Sequence, residues 1–162
     1  MITSLQSINK QSGVILIFSL VILLVITLLT VSGSQNIVMQ EKMTFSSQDT
    51  RVANQSTEIG MINGEDYIEN TLTNVLGFTD AGAGGLYTAG NAPTNVWEDA
   101  TWDVTKTRVA TTTAQKDVVL ARYFIEYLGM NGAVSTFRIV SRGEGRSDST
   151  ERVIEGYYAK KF

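Results

Sequence analysis

The side chains of this sequence whose type and spacing could do chemistry are carboxylates. Cys and His are absent, which excludes disulfides, thiol nucleophiles, Cys/His metal sites and catalytic triads that need an imidazole base. Two acidic clusters remain, Glu65-Asp66-Tyr-Ile-Glu69 and Glu98-Asp99 with Asp103, and either could offer oxygen ligands to Ca²⁺. Neither has the spacing of a calcium loop, and nothing in the sequence places two acids across a cleft. We therefore interpret both clusters as solvated acidic faces, and we expect no enzyme, no metal site and no cofactor.

The basic residues do not form a polyanion site. The chain has 13 Lys and Arg against 16 Asp and Glu, a net charge of -3. Arg138, Arg142 and Arg146 are spaced by four but interleaved with Glu144 and Asp148, whereas affinity for nucleic acid requires clustered cations that neutralise phosphates. We predict a solvated strand face and turn, and no direct binding of nucleic acid.

An uncharged apolar run near the N-terminus dominates the sequence. From Val14 to Val31 it contains no charged residue, Pro or Gly. Its eighteen residues would form a helix about 27 Å long, which fits a hydrocarbon core of roughly 30 Å. The hydroxyls of Ser19, Thr27 and Thr30 can bond to carbonyls one turn earlier. The run predicts a transmembrane helix, whose span includes Val14, Leu16, Leu20, Leu24, Leu28 and Val31.

A cleaved signal peptide is the alternative reading of this run. The apolar region of a signal peptide is about 7 to 15 residues long and ends at a small-residue site, and the present run is longer. Lys10 on one side, against Glu41 and Lys42 on the other, gives a positive-inside bias. We expect a single-pass protein of the inner membrane, with a cytoplasmic N-terminus and an exported C-terminal portion of roughly 120 residues.

The residues before the apolar run resemble a prepilin leader. Residues 1–13 carry one Lys and no acid, and they end in Lys10-Gln-Ser-Gly13 directly before Val14. Together with the segments 27–43, 121–128 and 137–143, this junction resembles the PilX group of minor pilins in the type IV pilin superfamily. The resemblance implies that prepilin peptidase cuts between Gly13 and Val14 and methylates the new amine of Val14.

The sequence departs from most major pilins at the fifth mature position. Those pilins carry a Glu there, whose carboxylate is thought to meet the terminal ammonium of a neighbouring subunit, and here the residue is Phe18. An ammonium without a partner in hydrocarbon is costly. The same absence is known in PilX-type subunits and in the K-type subunits of type II secretion, and it implies a place at the filament tip.

The resemblance implies a function in pilus assembly. The expected partners are other minor pilins, the major pilin, prepilin peptidase and the inner-membrane assembly platform, and the final location is the pilus fibre. The subunit would prime assembly and cap the tip, and twitching motility or DNA uptake would depend on the assembled machine. Three alternatives stay open: a tip adhesin that uses the loop 77–95, a minor pseudopilin of type II secretion, and a single-pass membrane enzyme that keeps its leader.

The expected fold is α+β and pilin-like. A long N-terminal helix packs its second half on a C-terminal antiparallel β-meander. The segments are a leader (1–13), a transmembrane and filament-core helix (14–34), an amphipathic continuation (35–76), a variable loop region (77–116) and the β-sheet of the periplasmic head (117–162). The apolar stripe of the continuation is predicted to contain Met39, Met43, Phe45, Val52, Ile59 and Ile62, with Ala53 and Met61 flanking it. We expect the helix to bend or melt near Gly33, to break near Gly60 or Gly64, and to end between Gly60 and Leu76.

Strands are predicted in three stretches of the C-terminal region. The β-branched and aromatic runs 118–128, 135–142 and 151–162 are separated by turn residues, and Asn131-Gly132 indicates a hairpin. Phe137 and Ile139 share one strand face, and Arg138 shares the other with Arg142. The loop 77–95 shows no periodicity. Trp97 and Trp102 are predicted to anchor this loop on the core with their indole N–H groups near the surface.

Overall fold

The computed structural model describes residues 12–111, 121–147 and 149–162. One helix, α1, runs from Ser12 to Asp66, and a π-helical turn, Tyr67–Thr71, follows it. The chain divides into two compact units, which we call the stem (up to Phe45) and the head (from Ser46 to Phe162). The α+β layout expected from the sequence, a long apolar N-terminal helix and a C-terminal sheet, is confirmed.

The head contains a five-stranded sheet. Its strands are β1 (Leu86–Thr88), β2 (Arg108–Val109), β3 (Arg122–Asn131), β4 (Val134–Glu144) and β5 (Glu151–Lys161). The order is β1-β3-β4-β5, with β2 also pairing with β3. The contacts of β3, β4 and β5 are antiparallel, and β1 is parallel to β3. The predicted meander is therefore the centre of a larger mixed sheet.

Two strands lie where the sequence predicted only loop. β1 falls inside the segment 77–95, and β2 falls inside 77–116. They are three and two residues long, too short to show the alternation by which a strand is recognised in a sequence. The assignment of 77–95 as loop throughout was wrong. Residues 118–120 of the first predicted strand lie outside the described residues.

The predicted hairpin between β3 and β4 is confirmed. Asn131 pairs with Val134, so that Gly132 and Ala133 form the turn. Gly132 has a φ of 64°, a left-handed conformation that glycine adopts without steric cost. A register shift between Tyr127 and Gly129 marks a bulge in β3, which leaves the rest of the predicted pairing intact.

The sheet buries both of its faces. On the helix side the core includes Ile68, Tyr123, Ile125, Phe137 and Ile139, so the predicted inward face of Phe137 and Ile139 is confirmed. On the opposite side a second core contains Tyr87, Ala92, Trp102, Phe124 and Val140. The sequence predicted a solvated face here. Instead, residues from the segment between α1 and β3 cover it.

The helix continues through the glycines that were expected to interrupt it. Helical hydrogen bonding extends across Gly33, Gly60 and Gly64, so the predicted melting and breaks were wrong. A Cβ added to Gly64 would lie 2.6 Å from Cγ2 of Ile139, and one added to Gly60 would collide with the Ser141 side chain. These two glycines allow α1 to approach the sheet closely. That close packing offsets their low helix propensity.

Candidate functional site

The stem carries the predicted processing and membrane residues on one continuous helix. Gly13, Val14 and Phe18 all lie in α1, within two turns of its first residue. Val14 is 71 % exposed and Phe18 is 67 % exposed. Residues 1–11 of the predicted leader lie outside the described residues. Among the described residues, no atom of another part of the chain lies within 4 Å of a Cβ built on Gly13.

The rest of the predicted span is apolar and exposed on every side. Its exposed side chains do not follow one helical stripe, and they include Leu16, Leu20, Leu24, Leu28 and Val31. A helix that is apolar all round is typical of a membrane span or of the buried core of an assembly. The surface available for lipid or for other stems is therefore the whole circumference of the helix.

The polar side chains of the span are satisfied within the helix. Ser19 donates a hydrogen bond to the Leu16 carbonyl at 2.9 Å, and Thr27 donates one to the Leu24 carbonyl at 2.8 Å. Thr30 likewise donates to the carbonyl four residues before it, at 2.8 Å. This confirms the predicted bonding to carbonyls one turn earlier. The hydroxyls consequently add little cost to burial in lipid.

By length and composition the helix could cross a membrane. Its most apolar window of eighteen residues has a mean hydropathy of 3.2, and no part of that window is buried within the molecule. A span needs about 20 predominantly apolar residues. The stem is therefore consistent with anchoring in the inner membrane.

The amphipathic continuation packs through part of the predicted stripe and through small residues beside it. Met39, Met43, Phe45 and Ile62 are exposed, whereas Ile59 and Met61 pack against the helix-side core and Ala53 is buried, as predicted. The buried positions of α1 are small: Ala53, Ser56, Thr57, Gly60 and Gly64. Their recurrence every three or four residues was visible in the sequence. Because apolar size guided the prediction, Ala53 was included and the other four residues of this small-residue face were missed.

Hydroxyls and a glycine join the small-residue face to β4. Ser141 donates a hydrogen bond to the carbonyl of Thr57 at 2.9 Å. Thr57 donates to the Ala53 carbonyl at 2.6 Å and to the Arg152 carbonyl at 3.2 Å. At Gly143, an added Cβ would lie 2.7 Å from the Ala53 carbonyl oxygen. The helix and β4 are thus in contact at backbone distance.

Asp49 and Lys160 form hydrogen bonds at the two ends of the contact between α1 and the sheet. Asp49 accepts hydrogen bonds from the backbone N–H groups of Arg146 (2.5 Å) and Ser147 (3.1 Å) in the β4–β5 turn. A side-chain bond from Thr150, together with these N–H groups, lowers the pKa of Asp49. At the other end, the ammonium of Lys160 donates to three carbonyls in residues 68–72, at 2.7 to 2.9 Å. A cation is favoured there because the helix dipole is negative at its C-terminus.

Two of the three arginines predicted to lie on a solvated face and turn, Arg138 and Arg142, are paired with acids. Arg142 is only 7 % exposed, and it donates hydrogen bonds to Asp99 at 2.8 Å and to Glu151 at 2.5 Å. Burial alone would lower its pKa, but the bonds to these two carboxylates prevail and raise it. Arg138 pairs with Glu126 at 2.8 Å. The solvated-face prediction was wrong for Arg142, whose guanidinium is held inside the head.

The two tryptophans have different roles. Trp102 is 5 % exposed, its indole N–H donates to the Val96 carbonyl at 2.8 Å, and its ring packs on Phe124 at 5.6 Å. It anchors the covering segment as predicted. Trp97 is 65 % exposed, so its predicted anchoring role was wrong.

The acidic clusters are not arranged as metal centres within the described part of the chain. No group of three or more Asp or Glu residues in residues 12–111, 121–147 and 149–162 is placed to hold an ion. Members of the clusters have protein partners instead. Glu69 accepts from the Tyr158 hydroxyl at 3.0 Å, and Asp103 accepts from Thr105.

The comparison with known proteins bears on the stem and the first part of the head. Residues 12–61 match the family model described as PilX N-terminal. The match begins one residue before Gly13 and ends on the helix face that contacts the sheet. No curated protein and no solved structure matched the chain significantly. Residues 12–61 are thus similar to the N-terminal domain of PilX proteins, and this similarity supports a type IV pilin of the PilX type.

Proposed function

We propose that this chain is a minor pilin of a type IV pilus, processed by prepilin peptidase, that primes assembly and occupies the filament tip. The observation that carries the proposal is the stem itself, a helix exposed and apolar on every side from Val14 to Val31, inside the stretch that matches the PilX N-terminal model. The chain performs no chemistry of its own in this proposal. Its function is to bring a head into a filament through a membrane-embedded stem.

Assembly follows from the physical chemistry of the stem. Before assembly the N-terminus lies in the cytoplasm, the stem lies in lipid and the head lies in the periplasm. Lateral packing with the stems of other minor pilins and of the major pilin replaces lipid contacts by helix contacts, so the apolar surface stays out of water. The inner-membrane assembly platform supplies the site of this exchange.

Mass spectrometry of the mature chain tests the processing step. The protein is isolated from cells with and without prepilin peptidase, and its N-terminus is sequenced. We expect a mature chain that begins with N-methylated Val14 when the peptidase is present and an uncut leader when it is absent. A chain that still begins with Met1 in peptidase-positive cells would refute the proposal, and so would one that begins beyond Ser34.

The tip location is tested at Phe18. In this proposal no subunit docks above the chain, so no carboxylate is needed at the fifth mature position. Labelling should place the wild-type subunit at filament ends, and Phe18→Glu should reduce piliation, because the added carboxylate would lie in hydrocarbon with no ammonium of a subunit above to pair with. Labelled copies distributed along the shaft, with full function of Phe18→Glu, would exclude the tip location.

A further inference from the structure

A solvent-open cavity lies between the segment that contains β1 and the one that precedes β2. Its volume is about 400 Å³, and its wall includes Asp80, Ala81, Tyr87, Asn91, Pro93 and Lys106. This volume is within the range of roughly 300 to 1,000 Å³ that small-ligand sites occupy. The assembly function proposed above makes no use of this cavity.

The polar wall is built by a hydrogen-bonded set. Thr88 and Asn91 both donate to the same carboxylate oxygen of Asp80, Oδ1, with the Asn91 bond at 3.2 Å. Asn91 also donates to the Thr88 hydroxyl oxygen at 3.0 Å. These bonds use the donors of Asn91 and one oxygen of Asp80. Within the described part of the chain, Oδ2 of Asp80 and the amide oxygen of Asn91 accept no other hydrogen bond, and they remain as acceptors for a ligand.

The remaining walls hold this polar edge in place. The Tyr87 hydroxyl donates to the Lys106 carbonyl at 3.3 Å, and its ring packs edge-on against Phe124 at 5.4 Å. Thr101 donates to the Asn95 carbonyl at 2.8 Å. The wall also contains small apolar residues, and Lys106, which contributes to it, is an exposed residue. The cavity therefore exists before any ligand enters.

We propose that this cavity binds a pyranose ring of a carbohydrate. A pyranose has hydroxyls that donate and accept around its edge and C–H groups on its faces. Asp80 and Asn91 accept from two hydroxyls, Lys106 donates to a third ring or hydroxyl oxygen, and Ala81 and Pro93 contact the C–H face. An apolar ligand would leave the acceptors of the rim unpaired, which is costly. A polyphosphate is disfavoured because the wall has one cationic residue, Lys106, and a carboxylate, Asp80, that would repel it.

The test uses the purified full chain in micelles of a zwitterionic detergent without a sugar headgroup. Saturation-transfer NMR is recorded with the methyl pyranosides of glucose, galactose, mannose and N-acetylglucosamine. We expect saturation to be transferred from the protein to the ring C–H protons of at least one of these sugars. Absence of transfer to all four would overturn the proposal. Because the assay requires no filament, its result is independent of the assembly function.

Two pairs of variants locate the binding. Ala81→Trp fills the cavity and should abolish transfer, whereas Ala89→Trp, an exposed alanine outside the wall, should preserve it. Lys106→Gln should weaken binding about fivefold, the effect of losing one hydrogen bond, and Lys161→Gln should have no effect. Equal transfer in both tryptophan variants would overturn the proposal. If Ala81→Trp fails to fold, unchanged binding by Lys106→Gln overturns it instead.

Discussion

Replacing Gly143 by alanine should destabilise the head far more than the same change at Gly156. Both glycines lie on the face of the sheet that contacts α1. A Cβ at Gly143 would collide with the backbone N of Thr57 and lie 2.7 Å from the Ala53 carbonyl oxygen. A Cβ at Gly156 would lie 3.2 Å from Sδ of Met61. Helix backbone cannot rotate away from a new methyl group, whereas the flexible end of a methionine can.

The magnitude follows from two opposing effects. Overpacking a close contact costs typically 1 to 3 kcal/mol, and replacing Gly by Ala inside a strand recovers about 0.5 to 1 kcal/mol of backbone entropy. Because the contact at Gly143 is with backbone, we expect the upper end of the cost and a net loss of about 2 kcal/mol. Gly156→Ala should change the free energy of unfolding by less than about 0.5 kcal/mol, since the two effects nearly cancel.

Thermal unfolding of the full chain in detergent micelles, followed by tryptophan fluorescence, measures both effects. At roughly 4 °C per kcal/mol for a domain of this size, Gly143→Ala should lower the Tm of the head by about 8 °C and Gly156→Ala by about 2 °C or less. Equal shifts for the two variants would refute the reasoning. It would mean that α1 and β4 are not in contact at backbone distance.

Three further changes probe other contacts of the head. Lys160→Met removes three hydrogen bonds to carbonyls at the helix end and should cost about 1 to 2 kcal/mol in urea unfolding, whereas Lys161→Met should cost little because that side chain is exposed. Trp102→Ala should cost about 3 kcal/mol or more, since the ring is buried, and Trp97→Ala should be nearly neutral; equal losses would contradict the anchoring role of Trp102. Because folding lowers the pKa of Asp49, its contribution is complete above the unfolded value of about 3.9 and is lost as the pH falls through the lower folded value. The urea midpoint of the wild type should fall across that window, and Asp49→Asn should flatten the fall; an unchanged pH profile would contradict the role of this carboxylate.

The long helix and the three main strands could be predicted from sequence because their signals are long and periodic. The uncharged run from Val14 to Val31 has the length and composition of a membrane span. Gly132 marks the hairpin turn because glycine adopts a positive φ at no steric cost. Phe137 and Ile139 alternate with polar neighbours, so their common inward face follows from the geometry of a strand.

The contacts between distant segments could not be predicted. Gly60 and Gly64 act as helix breakers in propensity scales, but whether a glycine breaks a helix or lets it approach a partner depends on what lies opposite it. The ion pairs of Arg142 could not be predicted for the same reason. Its acids, Asp99 and Glu151, are 43 and 9 residues away in the chain, and spacing alone does not show that they converge. The cavity wall is likewise assembled from several separate turns.

The two faces of the sheet differ in how much added volume they tolerate. The helix-side face allows almost no added volume at Gly60, Gly64 and Gly143. Much of the segment 77–111 is exposed, and Trp102 and Asp99 hold it against the opposite face. A foreign epitope or enzyme tag inserted near Ala89 or Thr94 would therefore leave the helix–sheet contact untouched. Such insertions would give a display platform whose scaffold and cargo can be redesigned separately.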